Sequence, residues 1–106
     1  MAIKVKRRYI LVECATEIGS NSRTQFERSI LGALMEQMGV LHYQGANPKI
    51  VGFVDAHRFV VRASLEGHKE LELALAMIKR LGGAETAFYT LKSSGTIRAL
   101  MKAGKE

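Results

Sequence analysis

Residues Ile50 to Ser64 read I-V-G-F-V-D-A-H-R-F-V-V-R-A-S. Two β-prone runs, Ile50 to Val54 and Arg58 to Ser64, flank the polar triplet Asp55-Ala56-His57, and this pattern predicts a hairpin. On either side the apolar residues recur at helical spacing. Upstream, Phe26, Ile30, Ala33, Leu34, Gln37 and Met38 form one stripe, with Asn21 or Ser22 as candidate caps and Gly39 as a stop. Downstream, Leu71, Ala74, Leu75, Ile78 and Leu81 predict a helix over Glu66 to Leu81, ended by Gly82-Gly83. Tyr43 to Pro48 reads as a loop, since Gln44, Gly45, Asn47 and the single proline oppose regular structure.

A hairpin between two helices decides the fold. Tyr9 to Ala15 is apolar and β-prone, rich in Ile10, Leu11 and Val12, and reads as a central strand, and Thr86 to Lys92 is a fourth strand. A last helix starts near Ser94 or Thr96. The order β-α-β-β-α-β-α implies split β-α-β units. Its standard solution is α+β: a ferredoxin-like, RRM-like sandwich with a four-stranded antiparallel sheet, both long helices on one face, and a C-terminal helix. The first strand then lies between the third and the fourth. The other face is left open or covered by the terminal helix or a partner. This layout hosts RNA-recognition domains, small phosphatases and ligand-sensing domains, so it does not choose a function.

Composition narrows the classes. The 106 residues make one domain, 1–106, 47% apolar and 25% charged. The net charge of +6 favours a polyanionic partner. Cys14, the one cysteine, permits no internal disulfide, fits a reducing compartment and packs in the core. No apolar run approaches a membrane span, and the N-terminal segment lacks the shape of a cleavable signal. These features predict a cytoplasmic protein with no membrane partner.

Catalytic constellations are scarce. His42, His57 and His68 match no metal spacing and read as surface residues. Glu13 and Glu17 read as solvated carboxylates rather than an acid–base pair. No Gly-rich phosphate loop occurs in strand-to-helix form with a lysine. The basic residues are better organised. Lys4, Lys6, Arg7 and Arg8 lead into the first strand. Arg58 and Arg62, four apart in the third strand, share a face. Lys92, Arg98, Lys102 and Lys105 surround the chain's end. The sheet order predicts that these clusters form one positive surface. Ser93, Ser94, Gly95 and Thr96 open the last helix with cap-type residues and a glycine, and a helix start of that kind suits a phosphate. An ordinary capped helix would read the same way.

Two stretches carry a family resemblance: R-R-Y-I-L-V-E at Arg7 to Glu13 and S-G-T-I-R at Ser94 to Arg98. Together with I-V-G-F, R-F-V-V-R-A-S and a Leu- and Ala-rich helix closing in G-G, they resemble the ribonuclease P protein component 2 (Pop-five) family over nearly the whole chain. The resemblance implies an archaeal RNA-binding accessory subunit of a ribonucleoprotein that removes the 5′ leader of precursor tRNA. In such an endoribonuclease the RNA subunit carries the chemistry with bound magnesium, and the protein binds no cofactor. The implied partners are ribonuclease P RNA, protein component 3 and, indirectly, precursor tRNA, with self-association open. Phe59, the one aromatic of the third strand, falls opposite Arg58 and Arg62, which predicts backbone and shape recognition without base stacking on that strand. Two alternatives remain from the residues themselves. One is an acyl-phosphatase-like hydrolase using Asn21 and Arg23. The other is a ligand-sensing or dimerisation domain on the same fold.

Overall fold

The computed structural model describes residues 7–18, 23–81, 83–98 and 100. The elements run β1 (Arg7–Cys14), α1 (Arg23–Met38), α2 (Val40–Ala46), β2 (Lys49–Phe53), β3 (Arg58–Ser64), α3 (His68–Met77), β4 (Arg80–Leu81), β5 (Ala84–Glu85) and β6 (Phe88–Ser94). Four strands form one antiparallel sheet in the order β2-β3-β1-β6. The first strand is therefore interior, between the third and the last, as the split β-α-β reading requires.

Strand parity divides the side chains. Ile10, Val12, Cys14, Phe59, Val61, Ala63 and Phe88 face the helices and pack with Ile30 and Leu34 of α1 and Leu71, Ala74 and Leu75 of α3. All four phenylalanines of the chain meet here. The Phe26 ring lies 5.3 Å from Phe59 and 6.4 Å from Phe88 between centroids, and Phe59 lies 6.3 Å from Phe53. Edge-to-face and tilted pairs of this kind add to the stabilisation from burial alone. Phe59 is thus committed to the core, on the side away from Arg58 and Arg62. Cys14 is buried among the same residues, its Sγ 3.4 Å from the hydroxyls of Thr16 and Thr86.

The opposite face carries a smaller apolar cluster. Leu11 of β1 and Val60 of β3 are buried there against Leu100, with Tyr9, Val51, Val54 and Ile97 around them. Ile97, Arg98 and Leu100 are helical. The C-terminal segment is therefore what covers this face.

The hairpin turn is held by Asp55, whose carboxylate accepts the backbone N–H of His57 at 2.8 Å and of Arg58 at 2.9 Å. Local self-bonding of this kind is why Asp favours turns.

Elsewhere the boundaries differ from expectation. Val40–Ala46 is a helix where a loop is predicted from Tyr43 onward. Gly39, at φ +83, ends α1 and redirects the chain, after which a second helix starts. Only Asn47 and Pro48 remain as a connection. The α3 helix stops at Met77 instead of reaching Leu81, because Ile78 is extended. Ile78 is still buried and Leu81 still packs on the core, so apolar spacing continues past the helix it is taken to indicate. Arg80–Leu81 and Ala84–Glu85 form a two-stranded ribbon, with Gly83 at φ +84 serving its turn. Gly82 lies outside the described residues. The fourth strand starts and ends two residues later than predicted, at Phe88 and Ser94.

Candidate nucleic-acid interface

Each edge strand of the sheet contains one extra residue. In β2 the register passes from Ile50↔Val61 to Gly52↔Val60, leaving Val51 unpaired. In β6 it passes from Lys92↔Leu11 to Thr90↔Val12, leaving Leu91 unpaired. A bulge reverses the facing of every residue beyond it. Both bulges consequently turn a lysine away from the helices. Lys49 comes opposite Arg62, and Lys92 comes opposite Leu11. Lys49 and Lys92 thus flank the second face from its two edges.

Between them stand the residues of the inner strands. Across β1 and β3 the pairs are Arg7↔Ser64, Tyr9↔Arg62, Leu11↔Val60 and Glu13↔Arg58. Arg58 and Arg62 do share this face. Arg7 joins them, and Arg98 is exposed on the segment that covers the centre. The surface is an apolar patch capped by Leu100 and bordered by cations.

Not every expected cation belongs to it. Arg8 is adjacent to Arg7 in a strand, so it points to the other side and pairs with Ala63. Its Nη2 donates to Ser93 Oγ at 3.0 Å. The single continuous positive surface predicted from sequence therefore excludes Arg8. Arg58 is the second exception, its Nε lying 3.4 Å from Glu13 Oε1. Glu13 is accordingly an ion-pair partner rather than a free solvated carboxylate. Both side chains are about one-third exposed, so the pair stabilises the fold by no more than about 1 kcal/mol. It does reduce the charge Arg58 presents. Lys4, Lys6, Lys102 and Lys105 lie outside the described residues.

The helix start is organised internally. Ser94 Oγ accepts the Thr96 backbone N–H at 3.2 Å, so one of the donors expected for a phosphate already has a partner. Ser93 is taken by Arg8, and Gly95 leaves the Arg8 guanidinium 3.8 Å from the position a Cβ would occupy. Arg8, Ser93 and Gly95 meet at one corner of the sheet, where β1 begins and β6 ends.

The remaining titratable groups are dispersed. His42 Nδ1 is 2.8 Å from Glu70 Oε1, His57 Nδ1 is 3.1 Å from the Cys14 carbonyl oxygen, and His68 Nδ1 is 3.5 Å from Glu72 Oε2. His68 is mostly covered rather than on the surface. Burial pushes the Tyr43 hydroxyl above its ordinary value. Among the described residues no three His, Cys, Asp or Glu side chains are grouped to hold a metal ion. Arg23, required by the phosphatase alternative, holds its guanidinium 4.9 Å from the centroid of the Phe53 ring. Asn21 is outside the described residues. No described helix is long and apolar enough to cross a membrane.

A different surface lies on the helix side. Leu41, Leu73 and Met77 are 80%, 67% and 61% exposed. They border two adjoining grooves of about 240 and 250 Å³ that share His42 and Glu70. Sequence reasoning had no place for this patch, since α2 itself was not foreseen. Lys49 was also missed; its facing depends on the bulge at Val51.

Three comparisons bear on this arrangement. Residues 8–104 match the model of the Rpp14/Pop5 family. Ribonuclease P protein component 2 of Thermococcus gammatolerans is 28% identical over 101 residues, covering 94% of this chain and 83% of that protein. The protein of the same name from Thermococcus kodakarensis is 27% identical over the same shares. One chain of a cryo-EM structure of yeast ribonuclease MRP superposes with a TM-score of 0.62. That superposition covers 99% of this chain and 95% of the other at 9% identity, a likeness of fold.

Proposed function

The chain belongs to the Rpp14/Pop5 family, and from that premise we propose that it is an accessory protein subunit of a ribonuclease P. It supports RNA-catalysed removal of the 5′ leader from precursor tRNA and is not itself the catalyst. The observation that carries this reading is the cation-bordered second face of the sheet. Arg7, Lys49, Arg62, Lys92 and Arg98 border it.

The chemistry follows from charge. Folding a large RNA brings phosphates together, and their repulsion must be neutralised. Lysines and arginines fixed on a rigid sheet displace condensed counterions, which is entropically favourable and falls off steeply with salt. An RNA held this way reaches its active shape at lower magnesium, and the magnesium that drives the cleavage belongs to the RNA. Contacts to phosphate and sugar set position without reading sequence.

The exposed apolar side chains Leu41, Leu73 and Met77 support a second, protein-facing surface on the opposite side. In this reading ribonuclease P protein component 3 docks there, leaving the sheet side for RNA.

Reconstitution tests the proposal. The chain would be mixed with protein component 3 and an archaeal ribonuclease P RNA at moderate magnesium, and cleavage of precursor tRNA followed. Cleavage that requires the chain supports the proposal. No change, with the same RNA competent at high magnesium, would refute it.

A further inference from the structure

Lys49 and Arg62 are directly opposed across β2 and β3, and Arg7 is the diagonal neighbour of Arg62, opposite Ser64. Directly opposed side chains have Cβ atoms about 4.5–5.5 Å apart and diagonal ones about 7–8 Å, and like charges so placed destabilise a sheet. The same face resolves this conflict elsewhere with a carboxylate, Glu13 against Arg58. Among the described residues no carboxylate pairs with Arg7, Lys49 or Arg62. The three cations therefore repel one another in the isolated protein.

Protection of a sheet edge explains lysines on outer strands. It would account for Lys49. It does not account for Arg62 and Arg7, because β3 and β1 are the inner strands.

Arg7 and Arg62 also line one cleft, together with Asn47, Ala63 and Ser64, where β1 begins and β3 ends. Its volume is about 50 Å³, room for about three or four water-sized atoms. Asn47, in the left-handed region at φ +47, lines the same cleft. Ser64 Oγ is fixed by donating to the Gly45 carbonyl at 2.8 Å and accepting the Gly67 N–H at 3.0 Å. A cleft this small, lined by two arginines and an asparagine with a lysine paired to one of them across the strands, suits a tetrahedral oxyanion.

The geometry points to a phosphate clamp: Arg7 and Arg62, backed by Lys49 and Asn47, hold one backbone phosphodiester of a bound RNA. The occupant resolves a repulsion that nothing among the described residues neutralises. The contact is blind to sequence and fixes the register of RNA against this end of the sheet. This inference rests on the RNA-binding reading above and specifies one contact within it.

The experiment measures binding of a ribonuclease P RNA, and of an unrelated structured RNA of equal length, across a range of salt. It compares the wild type with Lys49→Gln, Arg62→Gln and Arg62→Lys, and with Lys69→Gln on α3 as a remote control. Lys49→Gln and Arg62→Gln are each expected to reduce the slope of log K against log salt by about 0.7–0.9, equally for both RNAs, and Lys69→Gln leaves it unchanged. Arg62→Lys keeps the slope but binds several-fold more weakly, because the bidentate fork is lost. In the absence of RNA, Lys49→Gln melts at the same temperature as the wild type or higher. Wild-type slopes in both Lys49→Gln and Arg62→Gln would overturn the clamp, as would a lowered melting temperature for the exposed Lys49→Gln. The cleavage assay separates the two readings. Activation by the wild type with unchanged slopes in the variants removes the clamp alone. Reduced slopes without any activation of cleavage leave the clamp and remove the ribonuclease P assignment.

Discussion

Gly67→Ala should be among the most damaging single-methyl changes in this protein. Gly67 precedes α3 with φ −100 and ψ −4, a conformation any residue adopts, so backbone strain plays no part. The obstacle is space. A Cβ at Gly67 would lie 2.6 Å from Ala46 Cα, 2.7 Å from Ala46 Cβ and 3.0 Å from Ser64 Oγ. Carbon atoms pack at about 3.5–4.0 Å, so α2 and the start of α3 must separate by about 1 Å. Ala46 is buried and belongs to helix backbone, so no flexible side chain can absorb the shift. The displacement also strains the two hydrogen bonds of Ser64 to Gly45 and Gly67. Overpacking typically costs about 1–3 kcal/mol, and the weakened bonds add about 0.5–1.5 kcal/mol. The reduced entropy of the unfolded chain returns about 0.4–1 kcal/mol. The net expectation is a destabilisation of about 1–3 kcal/mol. At this chain length that lowers the melting temperature by roughly 5–20 °C. Urea denaturation monitored by circular dichroism measures it directly, with a lower midpoint and an unchanged m-value. A midpoint within error of the wild type would refute the packing argument.

Other perturbations test separate parts of the structure. Leu100→Ala removes the side chain that seals Leu11 and Val60; Leu→Ala at a buried site costs about 2–5 kcal/mol, and local detachment of the segment should hold the global loss near the lower end, with faster amide exchange in β1 and β3 as the signature. Burial raises the Tyr43 hydroxyl above 10.0, so the fold favours its protonated form; this contribution is complete below about pH 10 and is lost as pH rises further, and Tyr43→Phe should flatten the fall in denaturation midpoint above that pH. Glu13→Gln should change stability by less than about 1 kcal/mol, as expected for a part-exposed pair, while strengthening RNA binding at low salt by removing a negative charge from the face. Arg98→Ala should weaken RNA-dependent activation more than folding, since the side chain is exposed; a large cooperative loss of thermal stability with intact activation would count against it.

The parts of the fold that follow from alternation were legible. Arg58–Ser64 is the strand its pattern predicts, residue for residue, because one face of a hairpin must bury Phe59, Val61 and Ala63. The sheet order follows from placing that hairpin between two helices. Periodicity failed where burial continues after the backbone changes conformation. Ile78 and Leu81 keep the apolar spacing of α3 while lying in extended chain. Composition failed at α2, where Gln44 and Gly45 argue against a helix that a turn at Gly39 nevertheless allows. The separation of Arg7 from Arg8 was not read, because the first strand is predicted from Tyr9 whereas it starts at Arg7, and only inside a strand do adjacent residues face opposite ways. Nor was the facing of Lys49. Counting back from the turn without interruption places it on the helix side opposite Ala63, and only the extra residue Val51 brings it to Arg62.

The two bulges also bear on solubility. β2 and β6 are the outer strands of the sheet, and each breaks its own ladder with one unpaired residue. An interrupted, twisted border is a poor template for a further strand. Copies of this chain at high concentration are thereby hindered from zipping edge to edge into a continuous ribbon.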